Sequence, residues 1–330
     1  MKSKKLKIVA GIMVLTMLTT CMMSGTLAKY TTGDSASDSA RIAKWGVQVE
    51  ANGYLFGNSY GSDNQVVAAQ TFNTLAVSET ARARDNWVAP GTKNDNGFSF
   101  SITGEPEVSG EIKSVIKTQN IFLREGHYGV LIPLEESEIT SENYNEYLAS
   151  GKLYVLRAGG YNLAINPFEE DVSYYFMQNE LELSTDYYPV VYSLNGVTAA
   201  NGIGSDSLQE IAESITNQIG NPEFTDAVNG VSTYEGTGSF SPSTISSANQ
   251  GIILANQVIT WKWSYENGDS EEEKIMYNTA DTFLEMLNNS TTEIVVKYDN
   301  EYREYNTLEK YTDYNLETQF DINLTVTQTD

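Results

Sequence analysis

The segment "LETQFDINLTVTQ" near the C-terminus constrains this chain more than any other. Leu316, Phe320, Ile322, Leu324 and Val326 share one parity, together with Thr318. Glu317, Gln319, Asp321, Asn323, Thr325 and Thr327 occupy the other. Successive side chains of a strand point to opposite faces, so one face is almost wholly apolar and the other polar. Alternation this clean belongs to an antiparallel sheet with one solvated face.

Other segments repeat the period of two. "ARIAKWGVQVEA" sets Ala43, Trp45, Val47 and Val49 against Ile42, Lys44, Gly46 and Gln48. "GFSFSITG" puts Phe98, Phe100 and Ile102 on one face, and "EIKSVIK" follows after a turn. "QVITWKWSYE", "TEIVVKY" and "YYPVVYSL" are further strands, the last placed at a sheet edge by Pro189. Helical spacing is rarer. "SDSLQEIAESITNQIG" aligns Leu208, Ile211, Ala212, Ile215 and Ile219, opened by a Ser205 or Asp206 cap and closed by Gly220. "NTADTFLEMLN" and "TSENYNEYLASG" read as short surface helices. The expectation is a mainly β chain: an antiparallel β-sandwich of jelly-roll type over residues 42–330, with a few short helices in insertions. Residues of about 42–135 and 252–330 build the sheets, and a helix-containing insertion of about 136–250 decorates them. The length also admits two domains.

The N-terminus carries an export signal. Lys2, Lys4, Lys5 and Lys7 precede an apolar run from Ile8 to Met23, and Thr26 and Ala28 occupy the −3 and −1 positions of a cut between Ala28 and Lys29. The run is broken by Thr and falls short of the roughly 20 apolar residues of a retained anchor. Residues 1–28 are therefore expected to be a cleaved signal peptide, and the membrane is met only through the uncleaved signal. A lipoprotein reading through Cys21 is opposed by Thr20 and by the apolar chain that follows. Cys21 is the one cysteine, which leaves the processed chain no disulfide and no thiolate ligand or nucleophile.

Charge excludes other classes. Four of the 20 basic residues precede Lys29, so processing leaves sixteen against 44 acidic residues, a net charge of −28. That field repels nucleic acid and anionic membrane surfaces. His127 is the one histidine, so a zincin motif with paired histidines is absent. Gly57-Asn58-Ser59-Tyr60-Gly61 matches G-x-S-x-G, but it lies in a Gly/Asn/Ser loop rather than in a strand-to-helix elbow. Glu271-Glu272-Glu273 and Asn94-Asp95-Asn96-Gly97 lack the spacing of a calcium loop and read as solvated turns. Paired carboxylates of a glycosidase are a matter of spatial separation, which sequence does not supply. With no catalytic constellation, cofactor motif or metal site, the expectation is a protein that is not an enzyme.

The segment "GTLAKYTTGDSASDSARIAKWGVQVEA" resembles the signal and start of proteins with SipW-type signal peptides, the set containing the TasA-like and camelysin-like surface and biofilm-matrix proteins of Gram-positive bacteria. "WVAPGTKNDNGFSFSITGEPEVSGEIKSVI" is similar to that family's Pro-Gly turn, here Pro90 and Gly91, and the strands after it. "ITWKWSYENG", "NTADTFLEML" and "FDINLTVTQTD" resemble related secreted clostridial-type proteins through Trp261, Trp263, Asp281 and Thr282. The likeness covers both ends of the chain and little of 136–250. It implies a jelly-roll sandwich, and for fibre-forming members assembly by donor-strand exchange. Camelysin's metallopeptidase label finds no histidine-based zinc site here. Neither a sortase motif nor a C-terminal apolar tail is present before Asp330, so anchoring of that kind is not expected.

The functional expectation is a secreted structural protein of the cell surface or biofilm matrix, met by signal peptidase during export. It would self-associate into extracellular fibres by donating residues 29–41, with Lys29, Tyr30, Thr31 and Thr32 leading the donor strand. The same segment reads equally as a leader that keeps the cleavage site accessible. The alternative function is a monomeric adhesin or carbohydrate-binding module. It would bind surface glycans through Tyr-rich loops at 54–60 (Tyr54, Phe56, Tyr60) or 298–314.

Overall fold

The computed structural model describes residues 45–56, 69–71, 74–82, 88–165, 167–198, 204–246, 251–265, 268–289, 293–298 and 304–329. The signal segment, the cleavage pair Ala28 and Lys29, the donor residues Tyr30, Thr31 and Thr32, and the loop 57–61 lie outside them.

The chain opens with β1 (Val47–Gly53), β2 (Ala69–Thr71) and β3 (Thr74–Arg82), then the long β4 (Lys93–Gly104) and β5 (Gly110–Gln119). After β6 (Phe122–Leu123) and β7 (Gly126–Pro133) comes α1 (Tyr144–Ala149). Next are β8 (Leu153–Arg157), β9 (Gly160–Leu163), β10 (Tyr174–Leu183), β11 (Val190–Leu194) and β12 (Val197–Thr198). Helix α2 (Ser207–Ile219) leads to β13 (Glu223–Val228), β14 (Val231–Phe240), α3 (Pro242–Ser246) and β15 (Ile252–Trp263). Helix α4 (Glu271–Asn289) precedes β16 (Ile294–Tyr298), β17 (Tyr305–Thr307), β18 (Tyr314–Asn315) and β19 (Glu317–Gln328).

These strands form two facing sheets. The front sheet runs β1-β4-β15-β11-β12 and the back sheet β13-β14-β5-β19-β3-β2, and the paired strands in both are antiparallel. The terminal segment that alternates so cleanly is β19, inside the back sheet. Its Ile322 lies in register with Ile116 of β5 and Val77 of β3, a buried row across three strands. Across the layers Phe98 of β4 meets Phe320 with ring centroids 6.4 Å apart. Thr318, the polar member of the apolar face, is buried because its hydroxyl meets that of Tyr192, on the front sheet, at 2.6 Å.

Helix α2 covers the flank between β11 and the β14–β5 pair. Its buried residues include Leu208, Ile211, Ala212, Ile215 and Ile219, the stripe its period predicts, and Asp206 caps it by accepting from Leu208 N and Gln209 N. Close approach to the sheet depends on Gly238, where an added Cβ would stand 1.9 Å from the carbonyl oxygen of Ile219.

A second unit departs from the sequence expectation. Strands β10-β7-β16-β17-β9-β8 close into a small antiparallel barrel. One core cluster of this unit holds Leu131, Tyr154, Tyr161, Met177, Val296 and Tyr305. "TEIVVKY", expected in the sandwich, thus builds the barrel as β16, and so does β7. Conversely β11, β13 and β14 fall within 136–250 yet extend both sandwich sheets. Pro189 stands just before β11, which pairs with β15 along its length and with the short β12 only at Ser193 and Leu194, so the end of β11 next to Pro189 has a β-strand partner on one side alone among the described residues.

Two of the expected short surface helices also differ. α4 spans 19 residues and buries Tyr277, Ala280, Phe283 and Leu284. Its start is a capping box: Glu273 N donates to Ser270 Oγ at 3.1 Å, while Ser270 N donates to Glu273 Oε2 at 3.1 Å. The three glutamates expected in a solvated turn are the first turn of this helix, where negative charge is favoured by the helix dipole. α1 is short, but its Tyr144 is buried against Phe168 and Tyr174.

Candidate functional site

Three buried or half-buried carboxyl groups and one open sheet edge stand out against this frame. Glu79 is the first. It lies in phase with Leu75, Val77 and Ala81 on the inner face of β3 and is buried with them. Its carboxylate accepts from Leu55 N at 2.8 and 2.9 Å and from Phe56 N at 2.8 Å. Burial pushes its pKa up, and these backbone bonds offset part of that rise. Asn94 Nδ2 donates to the carbonyls of Tyr54 and Leu55, and Trp261 Nε1 donates to Leu55 O at 2.6 Å. The turn after β1 is therefore fastened to both sheets. Phe56 is a core residue, between Tyr192 and Trp261, and is closed to any ligand. Tyr54 keeps 40% of its surface, and Tyr60 lies outside the described residues.

Asp206, the cap of α2, is half-buried. It accepts from Asn120 Nδ2 at 2.9 Å besides the two helix amides, and burial raises its pKa.

Asp281 is half-buried on α4. Its Oδ1 accepts from Tyr187 Oη at 2.7 Å and from Trp263 Nε1 at 3.1 Å. Desolvation pushes its pKa up to about 7, with the two hydrogen bonds opposing the rise. Trp263 and Asp281, two residues that carried the family likeness, are thus joined directly. Trp261 and Thr282 are not part of that contact: Trp261 reaches Leu55, and the Thr282 hydroxyl donates to Asn278 O within the helix.

His127 sits on β7, half exposed, its ring edge-on to Tyr298 at 5.9 Å and its Nε2 3.8 Å from Glu182 Oε1. Ser59 lies outside the described residues. Among the described residues no group of three His, Cys, Asp or Glu side chains is placed to hold a metal ion, and no helix is long and apolar enough to cross a membrane.

The expected Pro-Gly turn is present. Thr92 N donates to Ala89 O at 3.0 Å, and Gly91 takes φ +82°, the left-handed position that a type II turn reserves for glycine. The Tyr265 ring rests on Gly91, where a Cβ would come within 1.9 Å of it, and 70% of Tyr265 remains exposed.

At the end of the back sheet, β13 has all six residues exposed, Phe224 and Val228 among them. Among the described residues it pairs only with β14, regularly over Glu223–Thr225 and then through a bulge before Val228.

Sequence reasoning missed Glu79, Tyr187 and Tyr192. Glu79 had a signal: "TLAVSETAR" places a carboxylate in phase with three apolar residues. Tyr187 and Tyr192 had none, since their partners are 94 and 126 residues away. Comparison with family models, with curated proteins and with solved structures finds no match for this chain.

Proposed function

We propose that this chain is a secreted structural protein of the cell surface or biofilm matrix, a jelly-roll-type sandwich that polymerises by strand donation. Residues 29–41, freed by cleavage after Ala28, would add to an open sheet edge of the next subunit. The observation that carries this reading is β13, a wholly exposed terminal strand with no outer partner among the described residues. An edge of that kind offers a row of main-chain donors and acceptors, which supply affinity while side chains supply register. Support for a jelly-roll arrangement comes from the passage of the chain between back and front sheets at β3 to β4, β4 to β5 and β14 to β15. The large negative charge sets a salt dependence, because subunits carrying −28 approach one another more readily when screened.

Electron microscopy of the processed protein tests the reading. Filaments are expected from chains beginning at Lys29, and none from chains beginning at Ile42 or from processed chains carrying Thr225→Pro in β13. Equal assembly without residues 29–41 would refute strand donation.

A second reading, a glycan-binding surface module, is favoured by Tyr265, an exposed ring braced from behind by Gly91. Glycan-array binding that disappears in Tyr265→Ala, with no filaments at any salt concentration, would replace the first reading.

A further inference from the structure

Helix α4 straps the sandwich to the barrel. Phe283 meets Tyr128 of barrel strand β7 edge-on at 6.2 Å, and Tyr277 stacks on Tyr187 at 5.1 Å with an interplanar angle of 11°. Within this largely apolar contact one carboxyl oxygen ties three segments together. Oδ1 of Asp281 on α4 accepts from Trp263, the last residue of β15, and from Tyr187, in the connection from β10 to β11. Both donors are neutral, and among the described residues no cation pairs with Asp281.

Other ionisable groups stand on the neighbouring segments: Lys274 of α4 pairs with Glu271 at 3.0 Å, and Asp269, just before the helix, acts on Tyr277. On α4, Glu273 belongs to the capping box and Glu285, one turn beyond Asp281, is exposed. Beside Tyr187, Asp186 is paired with Arg124 at 2.5 Å. Facing Phe283, Tyr128 donates to Arg124 O, and burial lifts its pKa far above the usual phenol range, leaving it neutral. The tyrosines Tyr187 and Tyr277 complete the enclosure.

We propose that Asp281 is a proton-operated latch, which as a neutral acid holds α4 against β15 and the β10–β11 connection and on ionising loosens it. In the neutral form the proton sits on Oδ2, and Oδ1 continues to accept from both donors as a carbonyl oxygen. Loss of that proton leaves a negative charge among aromatic rings with no counter-ion, a state relieved when the helix opens to water. Burial places the transition near pH 7. An acid whose pKa is raised in the folded state contributes stability that is complete below its unfolded pKa of about 3.8 and is lost as pH rises through 7. The latch operates within one subunit and does not rest on the fibre reading.

Hydrogen exchange of the processed full chain tests it. After correction for intrinsic exchange, the opening of residues 271–289 is expected to rise about tenfold between pH 6 and pH 8, while that of β19 stays level. Asp281→Asn preserves an Oδ1 that accepts both bonds and cannot ionise, so its α4 should show no such rise. Flat protection of α4 in the wild type, or the same rise in Asp281→Asn, would overturn the proposal. Should Asp281→Asn lack a cooperative urea transition, the Trp263 indole N–H resonance of the wild type decides. A titration midpoint between pH 6 and 8 supports the latch, and its absence there refutes it.

Discussion

The hydroxyls of Tyr192 and Thr318 lie 2.6 Å apart across the sandwich, joining the front sheet to the back over a sequence separation of 126 residues. Thr318 also donates to Gln119 O at 3.0 Å, so Tyr192 is the donor of the cross-layer bond. The pair is a polar pin in an apolar interior.

Removing either end of the pin has unequal consequences. Tyr192→Phe leaves Thr318 still donating to Gln119 and should cost about 1 kcal/mol. Thr318→Val strands a buried phenol and the Gln119 carbonyl together, and about 2–4 kcal/mol is expected from two unmet groups. Urea unfolding of both variants measures the difference; equal costs would contradict the assigned donor.

Phe320 fills the space between the sheets and Asn323, on the same strand, faces water. Phe320→Ala should destabilise by about 3–5 kcal/mol through lost burial and a residual cavity. Asn323→Ala should stay within about 0.5 kcal/mol of the wild type. Denaturation midpoints at constant slope provide the comparison.

Gly238 lets α2 lie against β14. Gly238→Ala drives a methyl group into the carbonyl of Ile219, and a loss of about 1–3 kcal/mol is expected from the forced separation. Thermal melts read the loss, and unchanged stability would show that the helix can shift without penalty.

Asp206 combines a helix cap with a pKa raised by burial. The sign follows from linkage: its contribution is complete at low pH and diminishes as pH rises through the folded-state pKa. Asp206→Asn keeps the cap, since asparagine serves that position as well as aspartate, and removes the titration. The variant should therefore gain on the wild type as pH rises from 4 to 8. Asp206→Ala should lose about 1–2 kcal/mol at low pH and progressively less as pH rises. Melting temperatures across that range separate the two effects.

Much of the local architecture was legible because it depends on neighbours in the chain. The parity of Leu316–Thr327 dictated β19 and its buried face, the spacing of Leu208, Ile211, Ile215 and Ile219 dictated the inner side of α2, and Ser205 or Asp206 with Gly220 marked its ends, the structure choosing Asp206. The capping box of Ser270 and Glu273 was equally local, but it was obscured by a run of glutamates that reads as a solvated turn.

What chain spacing cannot encode is which distant segments meet. Leu131 is flanked by Met177 on one side and Ile294 on the other, and that pairing closes the barrel. Phe56 is in the core because a glutamate 23 residues away captures its amide, and the pKa of half-buried Asp281 is pushed up to about 7 by desolvation where α4 packs beside Trp263 and Tyr187. Period and capping are properties of a few consecutive residues, and the sequence by itself determined strands such as β1, β4, β5, β15 and β19 with their buried faces, and the ends of α2. Closure, burial of charge and the choice of sheet edge depend on long-range contacts and desolvation, and only the tertiary structure decided them.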